Sequence, residues 1–293
     1  MKSLLAFLLL FAQATLLAAE STPYVLVSVA PYKLFVEKIA GDTVKVELMV
    51  PAGASSHTYE PTPKQTLAAS HADIWFQIGE SFEPRATRAL KSYHPEMDIV
   101  DLRKGINLIV SKEGDEGCCH CCHHAHDSCI DPHFWLSPRE VKIQAATIAD
   151  ALIERYPQHR RQYEDGLKEL TQELEGLDRE ITDILAPLKN RIIMVSHPAY
   201  AYFCRDYQIK QLSIEFEGKD PTPQQLTRVL KQAQESHIKS IFIQMQYNNK
   251  GARLIAKEIG AEVVTLDPYA EQYFASLREI ARAIWNSESR IQN

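Results

Sequence analysis

The stretch LKELTQELEGLDREITDILAPL, Leu167–Leu188, decides how the rest of the chain is read. Leu167, Leu170, Leu174, Leu177, Ile181, Ile184 and Leu188 recur at spacings of three and four. That spacing makes one apolar stripe along an α-helix, with Glu, Lys, Asp and Arg on the other face. The pattern predicts a single helix from about residue 158 to 186, roughly 40 Å long at 1.5 Å per residue. No second heptad segment is present to pair with it, so the stripe is expected to act as a rigid spine between two lobes. Gly166 and Gly176 each weaken such a helix by about 1 kcal/mol relative to Ala, so packing from the lobes must support it.

Outward from the spine, both flanks show the same rhythm. Before it, YVLVSVA (24–30), TVKVELMV (43–50), DIWFQIG (73–79) and MDIVDL (97–102) read as strands, separated by helical patterns at 31–40, 63–71 and 83–93. After it, RIIMVS (191–196), IKQLSIE (209–215), IKSIFIQ (238–244) and EVVTL (262–266) are followed by helical patterns at 200–207, 223–236, 249–259 and 271–285. Alternating β and α at this spacing predicts βαβ units and parallel sheets buried on both faces. The expected fold is α/β: two small lobes, each with a four-stranded parallel sheet flanked by helices, joined by one long helix. The boundaries are a leader at 1–19, a first lobe at 20–156, the linking helix at 157–188 and a second lobe at 189–293.

The leader is predicted from Lys2, the apolar run Leu4–Leu17 and the small residues Ala18 and Ala19 before Glu20, the order of a cleaved secretory signal. Its apolar part is shorter than the roughly twenty residues that cross a bilayer, and no cysteine stands near the cut to take a lipid. The mature protein is therefore expected in a periplasm, not membrane-spanning, and monomeric. A net charge of −6 argues against nucleic acid as a partner. Hydrophobic residues at 45% and charged residues at 24% exclude a disordered chain.

Open α/β sheets bind ligands at the carboxyl ends of their strands. His197 follows RIIMVS, Asp267 follows EVVTL, and His57 follows the second strand and a short loop. His133, in DPHFWLSP, precedes a helix that begins near Pro138. Pro132, Pro198 and Pro268 flank three of them and restrict the local backbone. Three imidazoles and a carboxylate, two from each lobe, form a donor set suited to Zn²⁺ if they meet in the cleft. An isolated histidine is more often a hydrogen-bonded structural residue, so the argument rests on their shared placement.

The motifs SHTYEPTP, DPHFWLSP, SHPAYAYF and LDPYAEQYF, in this order, resemble those of the zinc/manganese substrate-binding proteins of bacterial ABC importers, the cluster A-I metal receptors. EGKDPTPQQL (217–226) is similar to a further signature of that family. The resemblance spans the mature chain and implies two lobes, a linking helix and a metal ion held between them by His57, His133, His197 and Asp267. It also implies an ABC permease and its ATPase subunit as partners. The chain departs from the family pattern in IQMQYNN (243–249), where Gln244 stands in place of an acidic residue. His197, where manganese-devoted relatives carry a carboxylate, favours Zn²⁺ over Mn²⁺.

Between Cys118 and Cys129, in a loop at 113–129, the chain concentrates Cys118, Cys119, His120, Cys121, Cys122, His123, His124, His126 and Cys129. Disulfides, C-x-x-C redox chemistry and a plain polar insertion are the competing readings. His-rich composition favours a secondary, low-affinity metal loop, and zinc-type relatives carry a His-rich loop in this place. Cys204 is expected to be buried.

Capture of an ion by four protein ligands leaves no place for activated water. The motifs of metalloproteases, α/β-hydrolases and P-loop enzymes are all missing, so a zinc hydrolase is the weakest alternative and a surface adhesin or metal-sequestering protein the stronger one. Release is expected to need the lobes to separate, with the spine limiting the motion to loop rearrangement near Asp267.

Overall fold

The computed structural model describes residues 22–111, 129–215 and 222–289. The leader, the Cys/His loop from Cys118 to His126 and residues 217–221 of the EGKDPTPQQL segment lie outside them, as does the side chain of Cys129.

The first lobe runs β1 (Tyr24–Val27), α1 (Ala30–Ala40), β2 (Lys45–Leu48), α2 (Pro63–Ala69), β3 (Ile74–Gln77), α3 (Glu83–Tyr93) and β4 (Asp98–Asp101). A short ladder, β5 (Val110–Ser111) with β6 (Cys129–Ile130), leads to α4 (Pro138–Arg155). After the spine α5 (Arg160–Leu185) the second lobe adds β7 (Ile192–Val195), α6 (Ala201–Asp206), β8 (Lys210–Ser213), α7 (Pro223–Glu235), β9 (Ser240–Ile243), α8 (Lys250–Ile259), β10 (Glu262–Thr265) and α9 (Tyr273–Ser289). The sheets are ordered β2-β1-β3-β4 and β10-β9-β7-β8, all parallel. Each lobe thus places its first strand between its second and third, and the crevice at that reversal is where an open α/β sheet binds ligands.

Local chemistry sets the helix starts. Thr62 and Thr222 form matching capping boxes with Gln65 and Gln225, each followed by proline at the first helical position. Ser137 caps α4 through the Glu140 amide. The β5–β6 ladder was not foreseen, because two-residue strands are too short to show an alternation. Antiparallel pairing of Ser111 with Cys129 brings together the two points where the Cys/His segment leaves and rejoins the described chain.

The predicted spine is a 26-residue helix, preceded by a short 3₁₀ turn at Pro157–His159. Its stripe is buried at Tyr163, Leu170, Leu174, Leu177, Ile181 and Leu185. These residues join one apolar core that begins with Phe35 and Ile39 of α1 and continues to Ile193, Val195, Phe242 and Ile280 of the second lobe. Each lobe keeps a smaller separate core on its outer sheet face, around Trp75 and Phe82 in the first and Ile241 and Ile255 in the second.

Polar bonds add to this weld. Arg205 of α6 donates to Glu140 of α4 at 2.5 Å and to the Asn107 carbonyl at 2.8 Å. Tyr202 donates to the Asp131 carbonyl and accepts from the Ile109 amide, both at 2.9 Å. Ser137 donates to Asp206, and the Trp135 indole donates to the Pro268 carbonyl at 2.8 Å.

Candidate metal centre

His57 sits in a 3₁₀ turn, Ser56–Thr58, in the long loop after β2. His133 stands just before a second 3₁₀ turn, Phe134–Leu136. His197 follows β7 directly, at the reversal of strand order in the second lobe. The fold brings the three rings together: the His57 Nε2 lies 3.2 Å from the Nε2 of His133 and 3.2 Å from that of His197. Among the described residues these three form the group of potential metal donors, all within 4.8 Å of one another.

Each ring is oriented from behind by a carboxylate. His57 Nδ1–H donates to Glu80 at 3.0 Å, His133 Nδ1–H to Asp131 at 2.8 Å and His197 Nδ1–H to Glu215 at 2.8 Å. With Nδ1 committed as a donor, the neutral ring leaves Nε2 as a bare lone pair. The Nε2 atoms of His133 and His197, each 3.2 Å from that of His57, are held there comfortably only with a cation among them, a proton or a metal ion. An ion bound by nitrogens at 2.0–2.1 Å in a tetrahedron sets neighbouring donors about 3.3 Å apart, close to the two separations that His57 makes. Carboxylate–histidine pairs of this kind fix the tautomer and raise the ring's basicity toward a metal.

The supports are themselves braced. Glu80 is buried and accepts the Ser56 hydroxyl at 2.6 Å on its second oxygen. The loop carrying it is held by Glu83, whose carboxylate accepts the Ile78, Gly79 and Glu80 amides and the Ser28 hydroxyl. Burial pushes Glu83 up to about 7 against the pull of those donors.

Burial disfavours charge on all three rings, and the outcome differs by neighbour. For His133 burial, aided by the nearby His57, takes the pKa well below the ordinary imidazole value, and for His197 burial outweighs Glu215 and lowers it to about 4. For His57 the penalty of burial is overcome by Glu80, and its pKa is raised. Burial would raise Glu80, but His57 and Ser56 bring it below the usual carboxylate range. Two rings are thus neutral donors at neutral pH, and the third holds a proton more readily than a free imidazole.

The walls are aromatic. Tyr247 stacks on His197, with centroids 4.2 Å apart and planes 17° from parallel, and Trp135 packs 5.2 Å from the His133 ring. Gln244 is buried and donates to the His197 carbonyl at 3.4 Å. It supports the backbone of that ligand, whereas the carboxylate behind the His197 ring comes from Glu215.

Asp267 stands at the end of β10 as expected, but it is not part of the donor group. Its Oδ1 accepts the Gln246 side-chain amide at 2.8 Å and the Tyr269 backbone amide at 3.0 Å. Cys204 is buried and free, and burial pushes its thiol well up.

Sequence reasoning missed Glu80, Asp131, Glu215 and Tyr269 as members of the site. Three of the four carried a signal: Glu80 and Glu215 come within three residues of a strand end, and Asp131 lies two residues before His133.

A family model described as zinc-uptake complex component A, periplasmic, matches residues 25–287. The chain belongs to this ZnuA family. A relative from Chlamydia muridarum is 34% identical over 260 residues, covering 88% of this chain and 89% of its own length. A crystal structure of ZnuA superposes with a TM-score of 0.83 at 38% identity, covering 91% of this chain and 99% of that one. The laminin-binding protein of Streptococcus agalactiae, described as a bifunctional protein with adhesin and metal transporting activity, gives a TM-score of 0.77 at 25% identity, over 90% and 99% of the two chains. The ZnuA-like architecture is the one built above: two four-stranded parallel sheets and a linking helix. No helix among the described residues is long and apolar enough to cross a membrane.

Proposed function

We propose that this member of the ZnuA family is a periplasmic receptor that captures Zn²⁺ between its lobes, on His57, His133 and His197, and delivers it to the permease of an ABC importer driven by its ATPase subunit. The observation that carries this reading is the convergence of three Nε2 atoms, two of them 3.2 Å from that of His57, with each ring locked from behind by a carboxylate. An all-imidazole nitrogen set is borderline in softness and favours Zn²⁺ over the harder Mn²⁺. The surroundings suit storage: the ion is enclosed by Tyr247, Trp135 and Tyr269, with His133 and His197 almost fully buried.

The apolar core and polar seam shared by the lobes make wide separation costly, so release runs through the loops that line the ion, 244–249 and 267–269. The test is a competition titration of the mature chain against a chromophoric zinc chelator, paired with zinc uptake by cells lacking the chain. One tight Zn²⁺ site, Mn²⁺ bound more weakly and impaired uptake are expected. Unimpaired uptake would sink the receptor reading in favour of an adhesin or sequestering role.

A further inference from the structure

His133 belongs to the first lobe by sequence, yet the second lobe holds the turn that carries it. On the receptor reading above, on which this inference rests, His133 is one of the ion's donors. Asp131 fixes that residue twice: its Oδ1 accepts both the His133 backbone amide and the His133 Nδ1–H, each at 2.8 Å. Whatever places Asp131, the first residue after β6, therefore places the imidazole.

In an antiparallel ladder, the two residues of a hydrogen-bonded pair exchange both of their N–H···O=C bonds. Ile109 and Asp131 stand one pair beyond Val110 and Ile130 of the β5–β6 ladder, and the Asp131 amide donates to the Ile109 carbonyl at 3.0 Å. The return path runs through a side chain of the other lobe. The Ile109 amide donates to the Tyr202 hydroxyl, and that hydroxyl donates to the Asp131 carbonyl, both at 2.9 Å. An oxygen spliced into the pair holds the Ile109 nitrogen and the Asp131 carbonyl farther apart than a direct bond would, which opens the ladder toward the His133 turn. Tyr202 is fully buried, and its ring meets that of Phe134 edge-on at 6.0 Å, so the hydroxyl is fixed in place. The far end of the turn is tied to the same helix, α6, where the Ser137 hydroxyl donates to Asp206.

We infer that Tyr202 and Asp206 of α6 are positioning residues for metal capture, holding the two ends of the His133 turn from across the lobe boundary, with Tyr202 setting Asp131 and through it the direction of the His133 Nε2. The segment from His197 to Asp206 thus carries one donor and orients a second, so one short stretch of chain sets the spacing of both.

Tyr202→Phe keeps the ring against Phe134 and removes only the oxygen. The matched control is Tyr207→Phe, just past the end of α6, whose hydroxyl donates to Asp178 of the spine at 2.9 Å rather than to the His133 turn. Zn²⁺ affinity is read by chelator competition, the ligand field by the visible bands of one equivalent of Co²⁺, and stability by denaturant unfolding of the metal-free chain. Tyr202→Phe is expected to weaken Zn²⁺ binding about tenfold and to shift the Co²⁺ bands, whereas Tyr207→Phe stays within about twofold of the parent with its bands unchanged, whatever either does to stability. In an Asp131→Ala background, where the brace is gone, Tyr202→Phe is expected to add little further loss. Parent-like affinity and bands in Tyr202→Phe overturn the inference, as do additive losses with Asp131→Ala or an equal loss in Tyr207→Phe. Should Tyr202→Phe not fold, Asp206→Ala, which frees the far end of the turn, decides: weaker binding with shifted bands supports the inference, and parent-like values overturn it. His133→Ala and His197→Ala report separately on the donors. If both bind Zn²⁺ as the parent does, the receptor reading falls and this inference with it; if they lose binding while Tyr202→Phe keeps it, only this inference falls.

Discussion

The two lobes share a topology yet contribute unequally to the ion. The first lobe gives two imidazoles together with the carboxylates behind them, all from tight turns next to the common core. Glu80 uses both oxygens, one for His57 and one for Ser56, and its side chain is completely enclosed. The second lobe gives one imidazole, braced by Glu215 at the end of the edge strand β8, with its side chain partly open to solvent. It adds the loops 244–249 and 267–269, which reach across to the first lobe's turns. The difference separates a fixed cradle from an adjustable wall in one site, on a frame whose lobes are welded by shared core.

The largest effect should come from taking away a donor. His133→Ala removes the most enclosed ring of the cradle, and Zn²⁺ affinity by chelator competition should fall by more than about 100-fold, beyond what loss of an outer partner does. His197→Ala should lose as much, since a tetrahedral ion needs a donor from either lobe. Tight binding retained by His197→Ala would show that the ion does not need the second lobe's imidazole, and retained by His133→Ala that this ring is not a donor.

The bracing carboxylates should separate the lobes more finely. Glu80→Gln leaves one acceptor oxygen for two donors, so either His57 or Ser56 loses its partner, and about a 10- to 100-fold loss of Zn²⁺ affinity is expected. Glu215→Gln keeps the single acceptor that His197 uses, and its loss should be clearly smaller. Equal losses would mean that negative charge, rather than orientation, is what the carboxylates supply.

Acidity offers a third comparison. His133 and His197 are held below the ordinary imidazole pKa by burial, so they are already neutral at pH 7 and release nothing when the ion binds. His57 is held above it by Glu80 despite its burial. The ion must displace the His57 proton, so affinity should be full above that raised pKa and should fall as pH drops through it, by about tenfold per unit for one proton. The decline therefore starts above the 6.5 of a free imidazole and has a slope near one, not three. A slope near three in pH-resolved titration would show three ordinary, unperturbed histidines.

Much of this was legible in the sequence because burial and periodicity write the same message. The apolar strands at 24–30 or 238–244 are covered on both faces, and the threonine caps before Pro63 and Pro223 mark where helices begin. Histidines placed after strands pointed to the cleft, and His57, His133 and His197 meet there. Asp267 has the right address, the end of β10, but an address does not give a direction. The nearby Gln246 and the Tyr269 amide bond to its Oδ1, and such competition among close neighbours is invisible in a linear pattern. The bracing partners were hidden for a related reason: Glu80 and His57 are 23 residues apart, and a pairing across loops has no period.

The smallest effect concerns the spine, where helix propensity weighs two glycines alike and the packing does not. A methyl group at Gly166 would lie 2.6 Å from the Ile39 carbonyl oxygen and 2.7 Å from that of Lys38, both backbone atoms of α1. Here glycine is what lets the spine approach the first lobe. At Gly176 a methyl group would meet nothing within 4 Å, in the open groove among α1, α5 and α9. Gly176→Ala should therefore recover the helix propensity, up to about 1 kcal/mol of stability in thermal or denaturant unfolding. Gly166→Ala should reverse the sign, since the two backbones cannot both stay in place. Neither should change Zn²⁺ affinity while the chain is folded. If Gly166→Ala also weakened zinc binding in the folded protein, the spine would have to be setting the spacing of the lobes' ligands as well as their attachment.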